Sequence, residues 1–348
     1  MNVIERVLQE RYDELGLAQL GMGREMGTVL LTPRFVTSRH VVGLVFPKGR
    51  PAPCVVVKLP RRPGDNAGVQ REVDMLRAVA ELTSDAPLGV PRVLGSFDVG
   101  AHTVLVETAM TGAPLDPKAV CANPSRAVQL GARFTAELPV TRDARDNIGF
   151  YEDAIAAPLR SLERHLPLAG RTAELVARTH EVLQPLRRAA LPAVFEHADL
   201  SHPNIFVSTD GALQVVDWER STMHGLPGQD LTFFLQYVSE SERAAYTRPA
   251  QLRAFDDAFL SRRGWARPTL LGHLANRGVS ETLLPQLIVA AWARSAATLT
   301  SRLMPEVQDA TSVASAHAPS AAQLEAAVTQ DRDFWLWRHA LDRAPDLQ

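Results

Sequence analysis

Two short apolar segments joined by a turn sequence place the strongest constraint on how this chain folds. Residues 205–207 and 213–216 flank Ser208-Thr209-Asp210-Gly211, a run of residues that is typical of tight turns. The pattern predicts a hairpin, which brings Asn204, just before its first strand, next to Asp217, just after its second. Amide and carboxylate oxygens are ligands that magnesium accepts, so the hairpin predicts a shared metal site.

Asp199 adds a third polar side chain to this pair. It lies five residues before Asn204, and Asp217 follows thirteen residues after Asn204. Phosphoryl transfer from ATP needs one carboxylate to orient and deprotonate a hydroxyl, and two oxygen ligands to hold magnesium on the phosphates. Protein kinases use H-R-D-x-x-x-x-N followed by D-F-G, and this chain has H-A-D-x-x-x-x-N followed by D-W-E. The spacing favours a kinase.

The same stretch, with G-L-P-G-Q-D-L at residues 225–231, resembles the aminoglycoside phosphotransferase-like kinases, which include choline kinase, a type of homoserine kinase and fructosamine kinases. The resemblance is dense over residues 195–235 and looser over residues 28–115. It implies an α+β, two-lobed protein-kinase-like fold. We expect a small N-lobe over residues 1–110, with an antiparallel sheet and a helix, and a larger, mostly helical C-lobe over residues 111–348.

The resemblance also implies the cofactors ATP and Mg²⁺ and a role for each site residue. Asp199 would be the catalytic base, and Asn204 and Asp217 would bind magnesium. His197 and Asp230 would support the site by hydrogen bonds. Glu219, where protein kinases have glycine, is either a residue without a catalytic role or a contact to a second metal through water.

Five strands and one helix are predicted in the N-lobe, and they contain the residues expected to bind the phosphates. The strands span residues 27–35, 40–46, 53–59, 90–97 and 102–107, and the helix spans residues 69–82. Lys58 ends the third strand and Glu72 lies on the helix. A lysine at a strand end can instead extend to solvent, and helix glutamates are usually solvated. The order of strand lysine, helix glutamate and then H-x-D favours a Lys58–Glu72 pair on the α- and β-phosphates.

The predicted adenine contact lies at the end of the fifth strand. By its position there, the backbone C=O of Glu107 and N–H of Ala109 are expected to bind the base. The loop between the first two strands, residues 32–40, contains no glycine, so the close backbone approach of a glycine-rich loop is missing. Ser38 and Arg39 either contact the phosphates there or are ordinary turn residues.

Composition excludes several other classes of protein. The 348 residues carry a formal net charge of −2, which gives no electrostatic signature for nucleic acid. No apolar run approaches the roughly 20 residues that span a bilayer, so we expect no membrane partner. Only two cysteines occur, Cys54 and Cys121, and they lack metal-site spacing, which favours a reducing compartment such as the cytoplasm. The oligomeric state is left open.

Three functions compete at this stage. The leading one is an ATP- and Mg²⁺-dependent kinase for a hydroxyl of a small molecule, either a metabolite or an antibiotic-like compound. The second is a tailoring kinase for Ser or Thr of a ribosomally made peptide, and the third is a pseudokinase scaffold for a partner enzyme. The acceptor has to be recognised by helices predicted at residues 124–138, 170–190, 232–246, 251–262, 282–303 and 321–341. From Thr232 onward the chain has 12 acidic residues and 12 arginines, a balance that does not favour a polycationic acceptor.

Overall fold

A five-stranded antiparallel sheet forms the centre of the first of the two units into which the chain divides. The computed structural model describes residues 2–31, 40–85, 88–166, 171–260, 263–303 and 320–348. The first unit is Met1–Pro114 with Asn204–Ser221, and the second is Leu115–Pro203 with Thr222–Gln348. Ser38, Arg39 and the glycine-free loop lie outside the described residues.

The sheet has the strand order β1-β2-β3-β5-β4. Its strands are β1 Met26–Leu31, β2 His40–Pro47, β3 Val55–Pro60, β4 Val93–Val99 and β5 His102–Thr108. Lys58 of β3 pairs with Val42 of β2 on one side and with Leu105 of β5 on the other. β-Branched residues such as Val55 and Val57 are buried in β3, as their preference for a pleated, packed surface predicts.

Two helices accompany this sheet. α1, Val3–Glu10, begins with a capping box in which the side chains of Asn2 and Glu5 satisfy each other's backbone N–H groups. Its buried Leu8 packs with Val57 and other sheet residues around a small apolar cavity of about 90 Å³. α2, Ala67–Leu82, buries one stripe of residues at helical spacing, namely Val69, Val73, Leu76 and Val79.

The predicted hairpin is present, and it belongs to the first unit. β9, Ile205–Val207, pairs with β10, Leu213–Val215, and the N–H of Val216 donates to the C=O of Asn204 at 2.9 Å. On its other side β9 pairs with β6, Ala113–Pro114. The predicted boundary lies at residue 110, a few residues before the first segment of this unit ends. The first unit extends to Pro114 and takes up residues 204–221, because backbone pairing attaches the hairpin to it.

Helices make up most of the second unit. They are α3 Pro117–Ala122, α4 Pro124–Glu137, α5 Ala157–His165, α6 Arg171–Val182, α7 Gln229–Glu242, α8 Arg248–Phe259, α9 Arg267–Asn276, α10 Leu284–Ala297, α11 Leu299–Leu303, α12 Ala321–Thr329 and α13 Arg332–Asp342. A three-stranded sheet in the order β11-β8-β7 joins them, with β7 Val140–Arg142, β8 Ala193–Glu196 and β11 Thr222–Gly225. The predicted α+β, protein-kinase-like fold is confirmed.

Several helical predictions in this unit differ from the structure. The helix expected at residues 282–303 is divided into α10 and α11, and α3 and α5 have no predicted counterpart. The helix expected at residues 321–341 is two helices, because the Asp331 side chain accepts the N–H of Asp333 and caps the start of α13. α9 was not predicted, since its buried face includes Arg267 and His273 and its apolar periodicity is correspondingly weak. No helix among the described residues is both long and apolar enough to cross a membrane.

Candidate active site

Lys58 and Glu72 form a buried ion pair in the first unit. The Lys58 Nζ lies 2.5 Å from the Glu72 Oε1, and the two residues are 6% and 0% exposed. Burial alone would lower the pKa of Lys58, but Glu107, Glu72 and Asp217 together raise it well above its ordinary value. The lysine is therefore a cation among the side chains of these acidic residues.

Glu107 is a second carboxyl partner of Lys58, which the sequence analysis missed. The residue is 1% exposed, and its Oε1 lies 3.3 Å from the Lys58 Nζ. Burial raises the pKa of Glu107 to about 8, although Lys58 acts to lower it. Glu107 is two residues beyond Leu105, the partner of Lys58, and so shares its face of the sheet, a relationship that only the strand register shows.

The N–H of Ala109, which the sequence predicts to bind adenine, is already engaged in a backbone hydrogen bond. Its N–H donates to the C=O of Cys54 at 3.0 Å, which continues the pairing of β5 with the chain next to β3. A contact from this amide to a base would first have to break that hydrogen bond. The next amide, that of Met110, donates no hydrogen bond within the described residues.

The Asp217-Trp218-Glu219 segment is fixed to the first unit at several points. The Trp218 N–H donates to the Glu72 Oε1 at 2.9 Å, and the buried Trp218 indole donates to the C=O of Val215 at 3.0 Å. The side chain of Glu219 contacts the imidazole of His40. Asp217 itself has φ 69°, in the left-handed region that aspartate tolerates better than most residues.

Asn204 and Asp217 flank the hairpin, as the sequence predicts, and their side chains suit magnesium. Asn204 is buried, and its backbone C=O bonds the N–H of Val216, the neighbour of Asp217. Among the described residues no group of three or more His, Cys, Asp or Glu side chains could hold a metal. One carboxylate and one amide fit an ion such as magnesium, which keeps several waters and is commonly bound through one or two carboxylates together with phosphates.

The loop that contains Asp199 lies in the second unit and is held by Asp230. The two carboxylate oxygens of Asp230 accept the N–H groups of His197 at 2.7 Å and Ala198 at 2.8 Å. These bonds hold Ala198 at φ 65°, a strained value for alanine. The Asp199 N–H donates to the His197 Nδ1 at 3.2 Å. These contacts are of the kind that a supporting role for His197 and Asp230 requires.

A buried charge network beneath this loop was not found from the sequence. The Arg294 Nη1 donates to Glu196 at 2.6 Å and to Gln229 at 2.9 Å, and Glu196 also accepts the N–H of Leu226 at 2.8 Å. Burial and the charge of Glu196 raise the pKa of Asp230 to about 7, while its backbone donors act to lower it. Arg294 is the one charged residue in α10, a helix otherwise composed mostly of apolar residues, and this pattern signals a buried ion pair.

The comparisons with known proteins agree with the fold. A family model described as "Phosphotransferase enzyme family" (APH) matches residues 47–273. A search of curated proteins finds no match. Among solved structures, the chain is similar to a thermostable mutant of aminoglycoside phosphotransferase APH(4)-Ia in ternary complex with AMP-PNP and hygromycin B. That match has a TM-score of 0.55 and 13% identity, and covers 97% of this chain and 98% of the other. The chain is also similar to APH(2")-IIia in complex with GDP and kanamycin, with a TM-score of 0.51, 15% identity and coverage of 96% and 97%.

Proposed function

This chain belongs to the phosphotransferase enzyme family, and we propose from that premise that it transfers the γ-phosphate of ATP, with Mg²⁺, to a hydroxyl group of a small molecule. The observation that carries the proposal is the buried Lys58, paired with Glu72 and next to Asp217. A buried lysine held by carboxylates next to a candidate metal ligand is suited to the phosphates of a nucleotide.

Each end of the nucleotide has candidate partners in the first unit. Lys58, oriented by Glu72, would contact the α- and β-phosphates, and Asn204 and Asp217 would hold the magnesium ion. Magnesium, when bound, neutralises the negative charge that develops on the phosphates. Similar structures were solved with AMP-PNP and with GDP, which supports a nucleotide as the phosphate donor.

The adenine contact moves by one residue from the sequence-based prediction. Glu107 faces Lys58 and the Ala109 N–H is engaged by Cys54, so the N–H of Met110 is the better donor. The accompanying acceptor, two residues before it in the same i, i+2 arrangement, is the C=O of Thr108. This pair keeps the predicted spacing and avoids breaking the hydrogen bond of Ala109.

Asp199 is the proposed catalytic base. It would accept the proton of the acceptor hydroxyl as the hydroxyl oxygen attacks the γ-phosphorus of ATP. The bond between the γ-phosphorus and the oxygen that bridges it to the β-phosphate breaks in the same step, and ADP leaves. The His197 and Asp230 contacts that order its loop would keep the carboxylate in place. Retention of Lys58, Asp199, Asn204 and Asp217 favours an enzyme over a pseudokinase scaffold.

The acidic residues of the second unit do not favour a polycationic acceptor. Asp256 pairs with His339 at 2.6 Å, and Asp257 pairs with Arg243 at 3.0 Å. Asp333 pairs with Arg332, and Asp331 caps α13. These carboxylates have structural partners, so we favour a neutral or weakly charged hydroxyl compound. Ser or Thr of a peptide is the second candidate acceptor.

The test is transfer of radiolabelled γ-phosphate from ATP to a panel of hydroxylated metabolites, aminoglycosides and Ser/Thr peptides. We expect turnover with a small hydroxyl compound and a loss of about 10²- to 10⁴-fold in Asp199→Asn. ATP affinity should be nearly unchanged in that variant, since Asp199 acts on the acceptor. Full activity of Asp199→Asn would contradict the proposed base, and transfer only to peptides would favour the tailoring kinase.

A further inference from the structure

His40 contacts Glu219 in the first unit, next to the Lys58–Glu72 pair. The His40 Nδ1 lies 3.0 Å from the Glu219 Oε2, and His40 is buried. His40 is the first residue of β2, and it lies two positions before Val42, which pairs with Lys58. Because side chains alternate along a strand, His40 and Lys58 lie on the same face of the sheet.

The first turn of α2 closes around this contact. A Cβ atom added at Gly68 would lie 2.9 Å from the His40 Nε2 and 3.6 Å from the Glu219 Oε2. The Nε2 atom is buried and has no hydrogen-bond partner within the described residues. The imidazole is therefore held by Glu219 at one nitrogen and by close packing against Gly68 at the other.

Asp217 thus lies next to a segment that is anchored on both sides. Trp218 is tied to Glu72 of α2 by its backbone N–H, and Glu219 is tied to β2 through His40. Asp217 has left-handed backbone geometry, which persists only where the surroundings hold it. Loss of either anchor would let this residue relax toward commoner conformations.

We propose that His40 is a positioning residue, which through Glu219 holds Asp217 in the orientation that binds magnesium, and that Glu219 is an anchor and not a second metal ligand. The inference rests on the proposed function. The Oε2 atom of Glu219 accepts a hydrogen bond from His40 beside a closely packed helix turn, so this oxygen is engaged in a structural contact. His40 and Glu219 then act on magnesium binding through a single contact, so replacing either residue should weaken that binding by the same mechanism.

The test measures binding of ATP by calorimetry, with and without Mg²⁺, in His40→Leu, Glu219→Leu and the double variant. We expect each single variant to weaken the magnesium-dependent binding about 10-fold, as removal of groups that orient a metal ligand commonly does. The double variant should lose no more than either single one. Binding of ATP without magnesium should not change in any of them.

Two conservative variants separate an anchor from a ligand. Glu219→Gln keeps an oxygen that can accept from His40, so an anchor would retain most magnesium affinity, whereas a metal ligand would lose it. His40→Asn places a donor near the position of Nδ1 and should restore binding relative to His40→Leu. A loss in Glu219→Gln larger than that in His40→Leu, or additive losses in the double variant, would overturn the proposal.

A glycine substitution tests the same contact without changing either partner. Gly68→Ala directs a methyl group at the His40 Nε2 and should weaken magnesium-dependent binding in the same direction as His40→Leu. Gly272→Ala is the matched control, since a Cβ at this helical glycine meets nothing within 4 Å. If the two alanine variants weaken binding equally, the role proposed for His40 is wrong.

The same measurements distinguish failure of this proposal from failure of the proposed function. If the unsubstituted protein binds no ATP with magnesium, both are wrong. If it binds ATP with magnesium and the variants bind equally well, only the role proposed for His40 and Glu219 is wrong.

Discussion

Lys58 and Glu107 face each other on neighbouring strands β3 and β5, with both side chains buried and 3.3 Å between the Nζ and the Oε1. Burial raises the pKa of Glu107 to about 8, so the carboxyl keeps its proton at neutral pH. Under those conditions Glu72 is the charged partner of Lys58. Above pH 8 Glu107 ionises, and a second carboxylate then competes for the lysine.

Glu107→Gln should therefore resemble the unsubstituted protein near pH 7 and differ from it in alkali. We expect nucleotide affinity within about 3-fold of the original at pH 7, because the amide replaces a protonated carboxyl of the same size. Above pH 8 the affinity of the original protein should decline while that of the variant stays flat. The measurement is ATP binding between pH 6.5 and 9, with Glu72→Gln as the comparison that should be weak throughout. Parallel profiles would show that Glu107 does not titrate in this range.

Lys58→Ala and Glu72→Ala should each lower turnover by about 10²-fold, since both disorder the group that positions the phosphates. The double variant should cost far less than the sum, because the two residues share one contact. Glu72→Ala should also lower stability by about 1–3 kcal/mol, since the buried N–H of Trp218 loses its acceptor. Steady-state kinetics and urea unfolding check these results. Additive kinetic losses would identify Glu72 as a bystander.

Asp217→Ala should abolish the part of ATP binding that depends on magnesium and leave the fold intact. With ATP and magnesium at about 100 times the dissociation constant, the unsubstituted protein should gain about 2.7 kcal/mol of stability, seen as a rise in Tm. The variant should show only the smaller rise that ATP gives alone. Asp210→Ala, at an exposed carboxylate in the turn of the same hairpin, is the control and should respond like the original. Equal responses of Asp217→Ala and Asp210→Ala would exclude Asp217 as a ligand.

His273 should make the second unit sensitive to acid. Burial, with a smaller effect of Arg277, lowers the pKa of His273 to about 4 from its ordinary value of 6.5. Below pH 6.5 the unfolded chain binds a proton that the folded chain does not, so the free energy of unfolding falls as the pH falls. Between pH 7 and pH 5 this loss is about 2 kcal/mol, at about 1.4 kcal/mol per pH unit. His273→Gln should flatten the dependence measured by urea unfolding. A slope unchanged in His273→Gln would contradict the assignment.

The parts of this site that the sequence predicts are those with a fixed spacing along the chain. The hairpin next to Asn204 and Asp217 follows from two apolar segments and one turn, and Lys58 and Glu72 follow from a strand and a helix in a known order. The fold class is predicted for a similar reason, since the five strands of the first sheet and most of the long helices have a clear hydrophobic period, whereas α9 does not. The nucleotide and metal roles of these residues remain predictions.

What the sequence did not predict depends on register and burial. Glu107 faces Lys58 only because of the pairing of β3 with β5, and the same register engages Ala109 with Cys54. His40 and Glu219 are 179 positions apart, and their contact depends on how the hairpin packs in the first unit. Spacing along the chain does not contain this information, although the lone charge of Arg294 in an apolar helix does signal a buried partner.

The attachment of residues 204–221 to the first unit has a consequence for how such an enzyme can change over evolutionary time. Asp199 and Asn204 are close neighbours in the chain, yet they belong to different units. In the proposed function, every residue assigned to the donor nucleotide and its metal is carried by one unit, and the base assigned to the acceptor by the other. Substitutions in the helices of the second unit can then alter which hydroxyl compound is used without touching the residues that hold the phosphate donor.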